Sequence, residues 1–297
     1  MPTLRYYLAA IGMAIIAAAT AAQISPGAAA QSGLKYATIT GTRLAYVEAG
    51  NGAPIVFVHG AFGDYREWAS QIAAGAEDFH VVAYSRRDFH PNSHDSDKEL
   101  QTDDRDVADL IELIETLDIE PVHLVGHSAG GHAALVAAIR RPDLVRSLVL
   151  EEGGFVADHP QSMQALEEIQ PVRERYLEYR DAGNQEAAVQ HFIDFVSGEG
   201  SFASLSPAVR QSLMDNETAF GVRSNAALTC RETASLGVPV LVVLGERSPP
   251  FMARLMSGLL DCLRNEKTVR ISGASHDVHT AAPEAFNRTV FEFIKRQ

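Results

Sequence analysis

The sequence predicts an α/β fold in which a mostly parallel, doubly wound sheet carries an inserted helical cap. Three features of the 297-residue chain support this prediction. Short continuous apolar runs recur along it, helical segments alternate with these runs, and one long polar stretch without strand signals interrupts the alternation. Continuous apolarity is typical of strands buried on both faces, and strand–helix alternation favours a doubly wound sheet.

The predicted strands begin with a hairpin. From Leu34, two alternating runs flank a turn that contains Gly41, which is typical of paired antiparallel strands. Six continuous apolar runs follow, at residues 54–58, 79–85, 121–125, 147–151, 239–245 and 267–271. Each of these runs has the length and apolarity expected of a buried strand.

The helical segments divide the chain further. Residues 102–117 place five apolar side chains on one stripe behind an acidic first turn, which predicts an amphipathic helix. Residues 161–183 and 184–198 also have helical character and lie within the polar stretch. The predicted organisation is a leader at 1–30, a first core segment at 31–154, a helical cap at 155–235 and a second core segment at 236–297.

The predicted leader has the features of a secretory signal peptide. Arg5 precedes an apolar, alanine-rich run, Pro26 follows it, and small residues lead up to a possible cleavage point after Ala30. An uncleaved membrane anchor is the alternative, but the run is short for a bilayer span. We therefore expect a secreted or periplasmic protein with no stable membrane anchor after cleavage.

The net charge and the cysteine content argue against some classes of partner and of structural site. A formal net charge of −13 argues against nucleic acid as a partner, because phosphate-binding surfaces need clustered Lys and Arg. The cysteines are Cys230 and Cys262, too few for a disulfide scaffold and not in a CxxC pair that would suggest zinc. Export makes a disulfide between them possible, and two free buried thiols are the alternative. The oligomeric state is left open.

The strongest catalytic signal is a G-x-S-x-G at residues 126–130, between a predicted strand and an alanine-rich helix. A sharp strand-to-helix turn there would strain Ser128 and expose its hydroxyl above the sheet. A chance match to so short a pattern is common, but its position between those two elements is not. Ser128 is the predicted nucleophile, and His127 and His132 are expected to be local packing or surface residues and not bases.

An oxyanion hole requires backbone N–H groups aimed at the developing charge. One is expected from Ala129, directly after the serine, and the other from Ala61 in the turn after the first central strand, with Phe62 as the alternative donor. His59 is expected to brace this turn. Phe62 and Trp68 are candidates to line the acyl pocket, although ordinary packing would explain them equally well.

These features together resemble the α/β-hydrolase superfamily. The resemblance covers residues 34–297 and includes the His-Gly turn at 59–60, the serine elbow, the helical cap and the C-terminal segment that starts at residue 271. It implies an α/β-hydrolase fold and a histidine general base in the loop after the last strand. His276 occupies that loop, and imidazole titrates in the range needed to deprotonate serine. His279 is the competing candidate, for which a role at the pocket rim or a helix start is expected.

The resemblance also predicts an acid after the strand at 239–245, and here the chain departs from the family pattern. Ser248 stands where an aspartate is expected, and a serine cannot compensate an imidazolium. Glu246 is near, but it is expected to be too early in the loop and to point away. The predicted base therefore lacks its usual partner at this position.

The end of the strand at 147–151 offers a replacement. Some haloalkane dehalogenases and the zearalenone lactonases resemble precedents, since their acid comes from this strand end. Glu151 and Glu152 both lie there, and strand alternation sends them to opposite sides. Matching the elbow and its helix to the dehalogenase pattern selects Glu152, with Glu151, Glu246 or no acid as alternatives.

The expected function is that of an exported serine hydrolase acting on a small-molecule ester or lactone, with no cofactor and no metal. Ser128, His276 and Glu152 would form the triad, and Ala61 and Ala129 the oxyanion hole. A cofactor-free C–C hydrolase or perhydrolase on the same residues is one alternative. A non-catalytic binding protein of the same fold is the other, and the missing aspartate is its best support.

Overall fold

The computed structural model describes residues 33–93, 103–219 and 227–297. The predicted leader at 1–30 lies outside these residues. One eight-stranded sheet organises the described chain, with the strand order β1-β2-β4-β3-β5-β6-β7-β8. The strands are β1 (Lys35–Ile39), β2 (Thr42–Ala49), β3 (Ala53–Val58), β4 (Phe79–Tyr84), β5 (Val122–His127), β6 (Val145–Glu151), β7 (Val240–Gly245) and β8 (Glu266–Ile271).

Eleven α-helices lie within the described residues. They are α1 (Ala69–Gly75), α2 (Asp103–Leu117), α3 (Ser128–Arg140), α4 (Pro160–Asp181), α5 (Gln185–Ser197), α6 (Ser201–Ser204), α7 (Pro207–Asp215), α8 (Cys230–Thr233), α9 (Pro250–Cys262), α10 (Val278–Ala281) and α11 (Pro283–Ile294). Among the described residues, no helix combines the length and apolarity needed to cross a bilayer.

The sheet is parallel except at one edge. β1 and β2 form the predicted antiparallel hairpin, β2 pairs antiparallel with β4, and every pairing from β4 through β3 to β8 is parallel. The central strands β3 and β5 are buried over most or all of their length, which explains their continuous apolar sequences. The predicted mostly parallel α/β fold is confirmed.

Two apolar layers cover the faces of the sheet. Val56 and Val58 contribute to one layer, which includes residues of α2, α3 and the helices between β6 and β7. Phe57, the residue between them, contributes to the other layer together with residues of α11. Successive side chains of a strand point to opposite faces, so a continuous apolar run can supply both layers at once.

Helices α4–α8 lie between β6 and β7 in the chain. A disulfide joins Cys230, at the start of α8, to Cys262, at the end of α9. Of the two states considered for these cysteines, the structure has the disulfide. It ties the last helix before β7 to the helix that follows β7.

A buried contact between a histidine and a serine within the sheet makes the free energy of unfolding depend on pH. His123 on β5 is paired in register with Ser147 on β6, and its Nδ1 lies 2.7 Å from the Ser147 hydroxyl. Burial, with a smaller contribution from the Arg146 charge, lowers the pKa of His123 to about 4. A histidine in the unfolded chain titrates near pH ~6.5. Between that pH and about 4 the unfolded chain therefore binds a proton at His123 that the folded chain does not bind.

We expect the wild type to lose folding stability as the pH falls from about 6.5 to about 4, with no further loss from this group below that window. A His123→Gln variant should lose less, by about 1 kcal/mol at pH ~5 after allowance for partial solvent screening. Urea denaturation of both proteins at pH ~7 and pH ~5 measures the difference. An identical pH dependence in the two proteins would show that His123 is not the responsible group.

Candidate active site

The turn from β5 into α3 holds Ser128 in a strained conformation. Its backbone φ is +50°, a value that residues with a side chain seldom adopt. The turn is tight enough that glycine is required on either side. A Cβ at Gly126 would meet Gly131 Cα at 2.6 Å, and one at Gly130 would meet the carbonyl oxygen of His59 at 2.3 Å. This geometry matches a nucleophile elbow, which presents the serine at the carboxyl edge of the sheet.

The loop after β3 is fixed by buried polar contacts. The His59 ring bonds to the Gly60 carbonyl at 2.9 Å and accepts the backbone N–H of Arg86 at 2.8 Å. Arg86 also donates to the Gly60 carbonyl at 2.9 Å and forms a buried ion pair with Asp106 at 2.8 Å. These contacts hold in place the turn that contains Ala61, and they give His59 the bracing contacts expected of it.

The elbow and this loop meet at a cavity of about 160 Å³. For comparison, an engineered apolar cavity of ~150 Å³ accommodates benzene. The cavity is lined by the predicted site residues Ala61, Ser128, Ala129, Glu152 and His276. Most of the remaining lining comes from side chains of α4, α5 and α9, which are Leu166, Ile169, Arg173, Phe192, Val196, Phe251, Met252 and Leu255. The structure thus brings the five residues together under a largely apolar roof.

Glu152 lies beside the predicted base. Its Oε2 is 3.0 Å from Nδ1 of His276, and both side chains are almost completely buried. This contact orients the ring and leaves Nε2 for other partners. Glu152 also has a positive backbone φ of +42°, so the chain turns sharply where β6 ends.

The position that usually carries the acid now supports Glu152 instead. The Ser248 hydroxyl donates to Glu152 Oε1 at 2.5 Å, and the Gly245 N–H donates to the same oxygen at 2.7 Å. Two donors and an imidazole therefore satisfy the carboxylate. Glu246 lies elsewhere, where it accepts from the Ser272 hydroxyl and the Gly273 N–H on an exposed surface, as its position in the loop predicts.

A second buried carboxylate–histidine pair lies next to the first. Glu151 accepts from the backbone N–H of His279 at 2.8 Å and lies 2.9 Å from its Nδ1. Burial raises the pKa of Glu151, but the His279 and His127 rings outweigh this effect and hold the pKa below its usual value. His279 is the second residue of the short helix α10, close to the expected helix start, but it does not line the cavity. Of the two adjacent glutamates at the end of β6, Glu151 thus contacts His279 and Glu152 contacts His276.

His127 occupies the space between these two pairs. Its ring centroid is 4.8 Å from that of His276 and 5.0 Å from that of His279. Burial lowers the pKa of His127, but the charges of Glu151, Glu67 and Asp277 outweigh burial and raise the pKa to about 10. The sequence predicted a packing or surface role for His127, and it did not indicate that several charged groups would surround this ring.

The structure corrects the predicted pocket residues. Trp68 is fully buried and stacks on His279 with 4.4 Å between ring centroids. It belongs to the apolar layer on the sheet face that does not contain the cap helices. Phe62 lies one layer behind the cavity, against Tyr176 and against Phe192, which itself lines the cavity. Phe62 and Trp68 are close to the oxyanion turn in sequence, but neither side chain lines the cavity.

Comparison with known proteins places this geometry in a family. The family model described as "Alpha/beta hydrolase family" matches residues 55–289. An (E)-2-((N-methylformamido)methylene)succinate hydrolase from Acinetobacter baylyi is 23% identical over 84% of this chain and 93% of its own length. A 2-(acetamidomethylene)succinate hydrolase from Mesorhizobium japonicum is 26% identical over 83% of this chain and 90% of its own length.

A malate-bound structure of a thermophilic esterase from Thermogutta terrifontis superimposes with a TM-score of 0.69. The two chains are 22% identical, and the match covers 89% of this chain and 98% of the esterase. At this identity the likeness concerns the fold. The family match extends over most of the chain and includes both the serine elbow and the loop with His276, so the chain belongs to the alpha/beta hydrolase family.

Proposed function

We propose that this protein is a serine hydrolase that cleaves a small ester or lactone through an acyl-enzyme on Ser128. The observation that carries the proposal is the buried contact between Glu152 and His276 at the cavity that Ser128 also lines. A nucleophile, a base and an orienting acid thus converge although the usual acid position holds a serine. The contact also argues against a binding protein that has lost its acid.

The chemistry follows from the positions of these groups. His276, held through Nδ1 by Glu152, removes the proton of Ser128 as its oxygen attacks the substrate carbonyl. The negative charge on the carbonyl oxygen is stabilised by the backbone N–H groups of Ala129 and Ala61. His276 then transfers its proton to the leaving alcohol, and a water molecule activated by the same histidine releases the acid.

The cavity favours substrates with a small, mostly apolar acyl group, because its lining is apolar apart from the catalytic end, His132 and two arginines. Of the arginines, Arg86 is already engaged with Asp106 and Gly60. His132 stacks on Phe155 with 4.2 Å between ring centroids and takes part in the wall of the site. Short acyl chains are therefore the first choice for an assay.

The test is a substrate panel combined with active-site labelling. We expect the wild type to hydrolyse short-chain p-nitrophenyl esters or small lactones, and a fluorophosphonate probe to modify Ser128, as located by peptide mass spectrometry. An acetamidomethylene succinate, a β-diketone and a peracid assay form the competing arms of the panel. Pre-incubation with the preferred substrate should slow labelling in proportion to occupancy of the site.

Two results would contradict the proposal. A protein that is neither labelled nor active on any arm would be a binding protein. A protein that is labelled at Ser128 but turns over only the amide, the diketone or the peracid reaction would use the same residues for a different reaction class.

A further inference from the structure

Behind the proposed triad lies a group of three side chains with no part in the mechanism above. Glu67, His127 and His279, here termed the histidine cluster, each offer one potential ligand atom, and these atoms lie within 4.8 Å of one another. The three residues come from the 3₁₀ turn Tyr65–Trp68, from the end of β5 and from α10. Folding therefore assembles the cluster from segments that are far apart in the sequence.

The cluster contains buried nitrogens that make no hydrogen bond, although Nδ1 of His127 lies 3.7 Å from the Glu67 carboxylate. Among the described residues, both ring nitrogens of His127 and Nε2 of His279 are buried without any hydrogen bond. The two histidines are 5% and 2% exposed. Buried polar atoms are nearly always paired, and unpaired ones point to an ion or water at that place. Three such nitrogens in one group are an independent sign that something occupies the space between them.

The orientation of His279 is that of a metal ligand. Its Nδ1 faces the Glu151 carboxylate at 2.9 Å, and its backbone N–H donates to the same group. A proton on Nδ1 satisfies this contact and leaves the Nε2 lone pair directed away from Glu151. Metal-binding histidines show the same arrangement, because a carboxylate on the second nitrogen fixes the tautomer and makes the ligand more basic.

We propose that Glu67, His127 and His279 bind a divalent cation, for which zinc is the best match. Two imidazoles and one carboxylate form a donor set that zinc accepts in three-ligand sites, with a fourth position for water. The negative charges of Glu151 and Asp277 lie close by, the latter 3.7 Å from Nε2 of His127. Ligand atoms around a tetrahedral zinc ion lie ~3.4 Å apart. Ligand atoms separated by up to 4.8 Å in this structure must therefore close by as much as ~1.4 Å when the ion binds.

The site is distinct from the reaction centre and goes beyond the proposed function. The His127 ring is the member of the cluster that packs against His276, with 4.8 Å between ring centroids, so a bound ion would fix the surface against which the proposed catalytic histidine packs. None of the three cluster residues is among those that line the cavity with Ser128. Its expected effect is on stability and on metal content, which can be measured without any substrate.

The experiment uses the full chain without a polyhistidine tag, stripped of metal with a chelator. Cobalt is added in steps while visible absorption is recorded, and zinc uptake is measured by equilibrium dialysis with elemental analysis. We expect about one equivalent of either ion and a higher melting temperature with zinc, because a ligand that binds only the folded state stabilises it. Glu67→Gln and His279→Gln should bind at least ~10-fold more weakly, since even an outer-sphere change costs that much.

His191→Gln is the matched control, because His191 lies on α5 and has an unpaired buried Nε2 but is outside the cluster. This variant should bind like the wild type. Glu67→Gln keeps an acceptor for the Gly60 N–H and is the variant expected to fold best, as judged by circular dichroism. A wild type that retains no zinc at micromolar concentration, or a Glu67→Gln variant that binds as tightly as the wild type, would overturn the proposal. In the first case a proton, not a metal ion, balances the buried carboxylates.

Discussion

Ser128→Ala is expected to reduce kcat/KM on the preferred ester by roughly four to six orders of magnitude. The alanine variant cannot form the acyl-enzyme, and only the oxyanion donors and the cavity remain to assist water. Fluorophosphonate labelling should disappear at the same time. The backbone φ of +50° imposes the same strain on alanine as on serine, so the melting temperature should change little.

The measurement compares initial rates of wild type and variant over a range of substrate concentrations. Activity within about tenfold of the wild type would mean that Ser128 is not the nucleophile. If the rate falls and the melting temperature falls as well, loss of folding could explain the loss of activity, and Ser128→Cys then serves as a second variant. The introduced thiol should be acylated detectably by the substrate even if turnover is slow.

Glu152→Gln is expected to reduce kcat by about four orders of magnitude, the loss found when the acid of a well-studied triad is neutralised. The carboxylate accepts on both oxygens, from Gly245 and Ser248 on one and at His276 on the other. An amide has only one acceptor oxygen and a donor NH2 group, so it cannot serve both ends as an acceptor, and it cannot compensate an imidazolium. His276 would also be free to adopt the wrong tautomer, because the amide can donate to Nδ1 as well as accept from it. KM should change much less, since Glu152 acts through the histidine.

Glu151→Gln is the matched comparison, because both glutamates are buried and each contacts one histidine. We expect this variant to keep kcat within about tenfold of the wild type and to lose thermal stability instead. The double variant Ser128→Ala with Glu152→Gln should be no slower than Ser128→Ala alone, since residues that act as one unit are not additive. A large loss in Glu151→Gln with none in Glu152→Gln would assign the working pair to Glu151 and His279.

The central sheet could be predicted from the sequence because buried parallel strands appear as short continuous apolar runs. The runs at 54–58 and 121–125 could be located from apolarity alone: β3 contains the first, and β5 begins one residue into the second. The elbow was visible because the tight turn demands glycine at fixed positions around Ser128. Glu152 was selected by position at a strand end and by family resemblance, and the structure brings it within 3.0 Å of His276.

Contacts that depend on the third dimension were harder to anticipate. Trp68 follows the oxyanion turn closely in sequence, but a single 3₁₀ turn carries it to the opposite face of the sheet. The pairing of Glu151 with His279 joins residues 128 positions apart, and no local pattern encodes it. An acidic pair at the end of an apolar strand was the only available sign that two carboxylates would both be needed inside.

The hydrogen bond from Ser248 to Glu152 restricts how the active site can evolve. Position 248 is where the family resemblance predicts the acid, but an aspartate there would place a second carboxylate within hydrogen-bond distance of Glu152. Two carboxylates this close cannot both remain ionised, and a shared proton would weaken the support for His276. We therefore expect Ser248→Asp alone to weaken the site as long as Glu152 is retained. The two positions form an epistatic pair, and exchange between the two triad designs must pass through a weakened intermediate or change both residues together.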